Sequence, residues 1–401
     1  LKATYIIDAV RTPVGRYGGI LSSVRPDDLM AITIKGILDR NTYIDVNAID
    51  GVIVGDGNQA GEDCRNVARM AAMLAGLPFS VPGNTVNCLC GSGMQAVIDA
   101  TRAIQCGDGQ LFIAGGVESM SRAPLVRYNS EKEYLSLSSE YDSTIGWRFT
   151  NHKLAASFQP LSMGETAELV AKKYEVGRFE QDAFSLASHE KYFDALAKNK
   201  WADEIIPVPV TNTQGVVEVS KDEQPRQLTF AQLQRLKTLF DTTSEGTVTA
   251  GNSSGINDGA AALMLANQQM VKSLSLKPKA RIVASTIVGV HPDEMGLGPV
   301  LAINKLLLKT GLHIQHIDLF EISEAFAATS IACMNQLGLD GLNMNVNGGS
   351  IALGHPIGST GARIITTLVH EMTRTKKRFG VASICVGLGQ GLAMLIENMD
   401  F

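Results

Sequence analysis

Charge is scarce in this chain. Asp, Glu, Lys and Arg make up 19% of its 401 residues, against about a quarter in an average soluble domain. The formal net charge of −5 offers nothing to neutralise a phosphate backbone, which argues against nucleic acid as the main partner. Cysteine is also scarce: six residues are too few for a disulfide scaffold in a chain this long, and their spacing suits no zinc site. A reducing, cytoplasmic setting and no bound metal are therefore expected. The first fifteen residues, LKATYIIDAVRTPVG, read as a strand and a turn, without the charged and apolar regions of a secretory leader. One uncharged run, Phe379–Ile396, is long enough to cross a bilayer. It breaks at Gly387-Leu388-Gly389-Gln390-Gly391, so two buried strands around a glycine turn explain it better, and no membrane partner is expected.

Hydrophobic residues, at 45%, supply a large core and exclude intrinsic disorder. The length predicts two to three domains. Glycine is abundant, 39 residues against roughly 7% in an average chain, which points to tight turns and close backbone approaches to a ligand. Strand and helix periods alternate through the first 120 residues, and that pattern predicts a mixed α/β sheet with covering helices. The same order recurs at an offset of 268 positions: Ile49-Asp50 with Ile317-Asp318, Gly93 with Gly361, and Val117 with Cys385. Three matches at one offset predict two similar halves, residues 1–120 and 273–401, with 247–272 returning to the first. Between them, 121–246 reads as an insertion over the site. It contains the polar stretch Ser130–Ser143, a helical stretch over 163–199 and an irregular charged stretch over 211–226.

Three residues stand out chemically. Cys90, in Asn87-Cys88-Leu89-Cys90-Gly91-Ser92-Gly93, lies where a strand turns sharply into a helix. A helix N-terminus favours a thiolate and lowers its pKa. Cys88 fits a structural cysteine better. His355, in Gly348-Gly349-Ser350-Ile351-Ala352-Leu353-Gly354-His355-Pro356, sits in a glycine-rich loop before a helix, as a base or oxyanion donor must. Cys385 opens a glycine loop with too few residues after it for a dinucleotide site. Two halves packed about a pseudo-twofold axis would bring all three together. One thiol carrying an acyl group, an imidazole activating it and a second thiol moving a proton at carbon make a set for acyl transfer with carbon–carbon chemistry.

At these residues the chain resembles the thiolase family, over nearly its whole length. Asn87–Ala96, Ala114–Met120, Gly246–Asn252, Met295–Pro299, Gly348–Pro356 and the Cys385 loop all look like its signatures. The resemblance implies an α/β thiolase fold: two βαβαβαββ halves in a five-layered α-β-α-β-α arrangement with an inserted loop domain. It implies a homo-oligomer, dimer or tetramer. The substrates would be a 3-oxoacyl-CoA and coenzyme A, with no metal or redox cofactor. By position, Cys90 is the acylated nucleophile, His355 activates it, and Cys385 protonates the departing enolate. The Cys90 and Gly387 N–H groups would form one oxyanion hole, and His355 with a held water the other. Met163, Ala250, Ser254, Met295, Ala325 and Phe326 match positions lining the CoA or acyl channel; Met and Phe there also suit a core.

Two residues depart from the family's pattern. Ser323 stands where Asn usually orients the oxyanion water, and losing such a donor costs about 10²–10³ in rate. Leu388 replaces a common Gly and resembles the 3-oxoadipyl branch, while Ile145–Phe149, Ala60–Asp63 and Arg65–Met70 resemble degradative acyltransferases, the 3-oxoadipyl type included. Ser162 replaces the His common in acetoacetyl-specific members. A degradative 3-oxoacyl-CoA thiolase is the expectation, with 3-oxoadipyl-CoA as an open subtype. An acetoacetyl-CoA enzyme or an acyl-CoA-binding relative disabled by Ser323 are the alternatives.

Overall fold

The computed structural model describes residues 2–128, 140–213 and 215–401; most of the Ser130–Ser143 stretch lies outside the described residues. Its main sheet is ten-stranded. In chain order the principal strands are β1 (Thr4–Arg11), β2 (Gly51–Gly55), β3 (Gly83–Val86), β4 (Leu111–Ser119), β5 (Asn257–Asn267), β6 (Ala280–Gly289), β7 (Leu319–Ile322), β8 (Phe379–Val386) and β9 (Gln390–Asn398). Across the sheet they run β7-β8-β9-β6-β1-β5-β4-β2-β3, and the short strand Gly15–Arg16 pairs with β5. β1 meets β6 only through Thr4–Ile6 against Ala280–Ile282. That short antiparallel seam joins the two halves.

β4 and β5 are buried at every position, which is why they read as continuous apolar runs rather than alternating ones. The layers follow from what covers them. Leu29, Ile34 and Ile37 of the Pro26–Arg40 helix, with Ala68 and Ala71 of the Val67–Leu74 helix, pack on one outer face. Val300, Ile303 and Leu306 of the Gly298–Thr310 helix, with Ala332 and Cys333 of the Ala327–Leu337 helix, pack on the other. The Ser92–Cys106 and Ile357–Thr375 helices share one core with both half-sheets, through Met94, Val97, Ile364 and Leu368. The result is the expected α-β-α-β-α stack.

The offset of 268 positions is visible in the hydrogen bonds. Asp50 Oδ2 accepts from the Gln110 and Leu111 N–H groups, and Asp318 Oδ2 accepts from the Arg378 and Phe379 N–H groups. Each aspartate ties its strand entry to the neighbouring parallel strand. The paired glycines mark where the two central helices cross. A Cβ on Gly361 would stand 2.4 Å from Met94 N, and one on Gly93 2.7 Å from Gly358 O. Only hydrogen fits there.

The halves differ in one element. The first reads strand-helix-strand-helix-strand-helix-strand-strand, as expected. In the second, the third strand is reduced to an isolated bridge between Phe320 and Met344, with Asn345 at φ 46°. The insertion also departs from expectation. Its helical stretch is two helices, Met163–Lys173 and Arg178–Ala197, broken where Glu175 takes φ 55°. Its irregular stretch begins in a hairpin, Val208–Asn212 with Gly215–Val219. Arg11, fully buried on β1, pins this region by pairing with Glu204 at 2.5 Å and Asp222 at 2.6 Å. Phe379–Ile396 is the β8–β9 pair around the glycine turn. Among the described residues no helix is long and apolar enough to cross a membrane.

Candidate active site

Cys90 sits on a strained turn. β3 ends at Val86, and the Asn87 side chain accepts from the Leu89 N–H at 2.9 Å. Leu89 takes φ 47°, which a non-glycine residue rarely adopts. The Ser92 hydroxyl closes the turn, accepting from Cys88 N–H and donating to the Leu89 carbonyl. Cys90 is thus presented half-buried at the entrance of the Ser92–Cys106 helix.

Cys385 is the penultimate residue of β8 and is 4% exposed. The Cys90 turn packs on the Cys385 loop, Gly91 against Val386 and Gly387 against Leu89; Cys385 opposes ionisation of the Cys90 thiol and the Gly387 N–H favours it. The expected low Cys90 pKa is not what the structure gives. Burial, followed by Cys385, pushes the thiol up to about 12, against the opposing pull of the Gly387 N–H. The resting group is a thiol although the residue keeps part of its surface open. Desolvation outweighs the helix terminus, so a base must take the proton as the thiol reacts.

His355 is the residue expected in that role. Gly354 takes φ 103°, and a Cβ on it would stand 2.5 Å from Asn257 Cγ; Asn257 Oδ1 in turn accepts the His355 N–H at 2.9 Å. The imidazole Nδ1 lies 2.7 Å from Thr360 Oγ1. Burial, and then the Arg363 charge, lower the His355 pKa to about 4, so the ring is neutral at neutral pH.

Ser323 lies against Cys385. Its oxygen accepts the Cys385 N–H at 3.2 Å and lies 3.6 Å from Cys385 Sγ. The adjacent Glu324 fixes this turn, accepting from Ser188, Asn345 and the Ile351 N–H. Of the residues expected to line a channel, Met163, Met295, Ala325 and Phe326 form one apolar cluster with Cys385, Ala167 and Val248. Met163 also stands against Gly387. Ser254 is half-buried, its N–H on the Ala325 carbonyl. Ala250 is exposed and outside that cluster.

Several residues here escaped sequence reasoning. Thr360 directly precedes Gly361 of the match at the 268 offset, a neighbourhood that marks its place and not its role. Asn257 carries no local pattern. Glu118 was legible only as part of a signature. It reaches across the halves to accept the Gly57 and Gly358 N–H groups at 3.0 and 2.8 Å, and burial raises its pKa to about 7.

Two thiols on packed loops and a neutral imidazole are a set suited to acyl transfer. Comparison with known proteins agrees. Residues 4–269 match the thiolase N-terminal domain and 276–398 the thiolase C-terminal domain. The chain is 49% identical, over the full length of both, to the 3-oxoadipyl-CoA/3-oxo-5,6-dehydrosuberyl-CoA thiolase of Escherichia coli strain K12. It is 42% identical to the 3-ketoacyl-CoA thiolase of Bacillus subtilis, with 99% and 100% of the two chains covered. The crystal structure of the Bacillus anthracis acetyl-CoA acetyltransferase superposes with a TM-score of 0.93 at 39% identity, covering 100% of this chain and 99% of that one. Fold and site define an acyltransferase. The chain belongs to the thiolase family.

Proposed function

We propose that the protein cleaves a 3-oxoacyl-CoA with coenzyme A, through an acyl thioester on Cys90. The observation that carries this is the packing of the Cys90 turn against the Cys385 loop, where a Cβ on Gly91 would stand 2.9 Å from Val386 Cγ2 and one on Gly387 3.4 Å from Leu89 Cδ1. His355 takes the Cys90 proton and the thiolate attacks the 3-oxo carbon. The C2–C3 bond breaks, its electrons pass to the acetyl-CoA enolate, and Cys385 delivers its proton to C2. Free coenzyme A gives its thiol proton to the Cys385 thiolate, attacks the Cys90 thioester and leaves as the shortened acyl-CoA, while the released Cys90 thiolate takes its proton back from His355. Met163, Met295, Ala325, Phe326, Ser254 and Ala250 are assigned to the pantetheine and acyl channel.

The acyl chain we favour ends in a carboxylate, as in 3-oxoadipyl-CoA. The identities of 49% and 42% favour that branch, and Arg148 supplies a cation for it. Its half-buried guanidinium donates to the Ser143 carbonyl and Asn58 Oδ1 and, among the described residues, pairs with no carboxylate. Asn58 follows Gly57, whose carbonyl accepts from Asn87 of the Cys90 turn. Both catalytic thiols must stay reduced, which suits a cytoplasmic setting. The partly exposed edge strand β3 suits pairing with a second copy in a homo-oligomer.

The test is CoA-dependent loss of thioester absorbance with acetoacetyl-CoA, longer 3-oxoacyl-CoAs and 3-oxoadipyl-CoA. Intact mass after acetyl-CoA should show one acetyl adduct, absent from Cys90→Ala. Binding of all the substrates without turnover of any would replace this reading with a binding protein.

A further inference from the structure

Ser323 and Cys385 come from different strands of the second half, 62 residues apart in the chain. β7 ends at Ile322, and Ser323 follows directly; its N–H bonds the Ser383 carbonyl of β8, which holds it beside Cys385. The side chain is 4% exposed. A hydroxyl has one hydrogen to give and lone pairs to receive. One lone pair is taken by the Cys385 N–H at 3.2 Å. The hydrogen has one acceptor in reach among the described residues, Cys385 Sγ at 3.6 Å. Were the thiol the donor instead, the serine hydrogen would be buried without a partner, which is the costlier arrangement.

We infer that Ser323 is a positioning residue for Cys385: anchored by the Cys385 N–H, its hydroxyl donates to the sulfur and steadies the thiolate that is left when Cys385 gives its proton to carbon. This rests on the thiolase reading above and deepens it. The proton leaves sulfur for C2 of the enolate, the S–H electron pair stays on sulfur, and the serine O–H strengthens toward the charge as it forms. Little else near Cys385 can do this. The Cys333 thiol donates to the Gly296 carbonyl instead, and the Cys385 packing neighbours Met163, Met295, Ala325 and Phe326 are apolar. Burial pushes the Cys385 thiol up, and the Ser323 hydroxyl pulls it back down. The residue that departs from the family's pattern thus acts on the second cysteine.

The experiment compares wild type with Ser323→Ala, Ser323→Gly and Ser323→Thr. It reads the pH dependence of Cys385 alkylation by iodoacetamide, by peptide mass spectrometry, and the pH profile of cleavage. Ser323→Ala and Ser323→Gly should move the Cys385 midpoint to higher pH by about one unit, a tenfold smaller thiolate fraction at fixed pH. Ser323→Thr, which keeps the hydroxyl, should restore the wild-type midpoint. An unmoved midpoint in Ser323→Ala overturns the inference, and so does a Ser323→Thr shift equal to that of Ser323→Ala, which would mark a packing effect. Failure of wild type to acylate Cys90 or cleave any 3-oxoacyl-CoA would sink the thiolase reading instead, so the two failures are separable.

Discussion

The Thr360 hydroxyl fixes which nitrogen of His355 carries the proton. Thr360 Oγ1 donates to the Pro356 carbonyl at 2.8 Å and lies 2.7 Å from His355 Nδ1. With its hydrogen given to the carbonyl, the hydroxyl can only accept from the ring, so Nδ1 holds the proton. Nε2 is left bare, as the proton acceptor of the proposed mechanism requires.

Thr360→Val keeps the shape of this fully buried side chain and removes the acceptor. The Nδ1–H is then unpaired and the ring loses both tautomer and orientation. The cleavage rate should fall about tenfold to a hundredfold, part of the 10²–10⁴ that a positioned base contributes. Single-turnover acylation of Cys90 is the measurement, and an unchanged rate would remove Thr360 from the mechanism.

The acid limb of activity should lie far below the usual histidine range. A base works when deprotonated, so activity is lost as pH falls through its pKa, and His355 is held down at about 4 by burial and then by Arg363. The kcat/KM profile should therefore stay flat through pH 6.5 and bend only near the acid limit of folding. An inflection at 6.5 would show that the imidazole is solvated, not buried.

Arg148 should matter to one substrate class only. Removing its guanidinium in Arg148→Ala strips a charge-assisted hydrogen bond from a carboxylate-ended acyl chain, about 1.5–3 kcal/mol. KM for 3-oxoadipyl-CoA should rise roughly tenfold to a hundredfold while acetoacetyl-CoA kinetics barely move. An equal effect on both substrates would mean that Arg148 braces the Asn58–Ser143 contact and reads no substrate.

Leu388 carries a backbone penalty. It takes φ 66° in the turn after Cys385 and is 45% exposed, so its side chain gains little from burial. A non-glycine residue there costs about 1–2 kcal/mol, partly offset by the greater chain entropy of glycine when unfolded. Leu388→Gly should stabilise the protein by up to about 1 kcal/mol in chemical denaturation. A loss of stability would mean that the exposed leucine packs on something in solution.

Much of this protein could be read from the chain. The strand–helix alternation, the repeat at an offset of 268 positions and the glycine turn at Gly387–Gly391 were legible because each is a local pattern or a repeat of one. Cys90, His355 and Cys385 stood out in the chain because each sits in a glycine-bounded turn at a strand or helix end. Local patterns also misled. The Cys90 helix terminus suggested a low thiol pKa, but that value depends on what surrounds the sulfur, and burial prevails. The third strand of the second half was expected by symmetry. It is reduced to a bridge at Met344, where Asn345 turns instead to bond Ile322 and Glu324.

Contacts between distant segments belong to the tertiary structure alone. Ser323 finds Cys385 because β7 and β8 are parallel neighbours, Asn257 finds His355 across 98 positions, and Glu118 bridges the halves to Gly358. A sequence determines which side chains are available and which turns present them. Who donates to whom follows from the packing of one half on the other, since hydrogen bonds need directions and distances that no local pattern encodes.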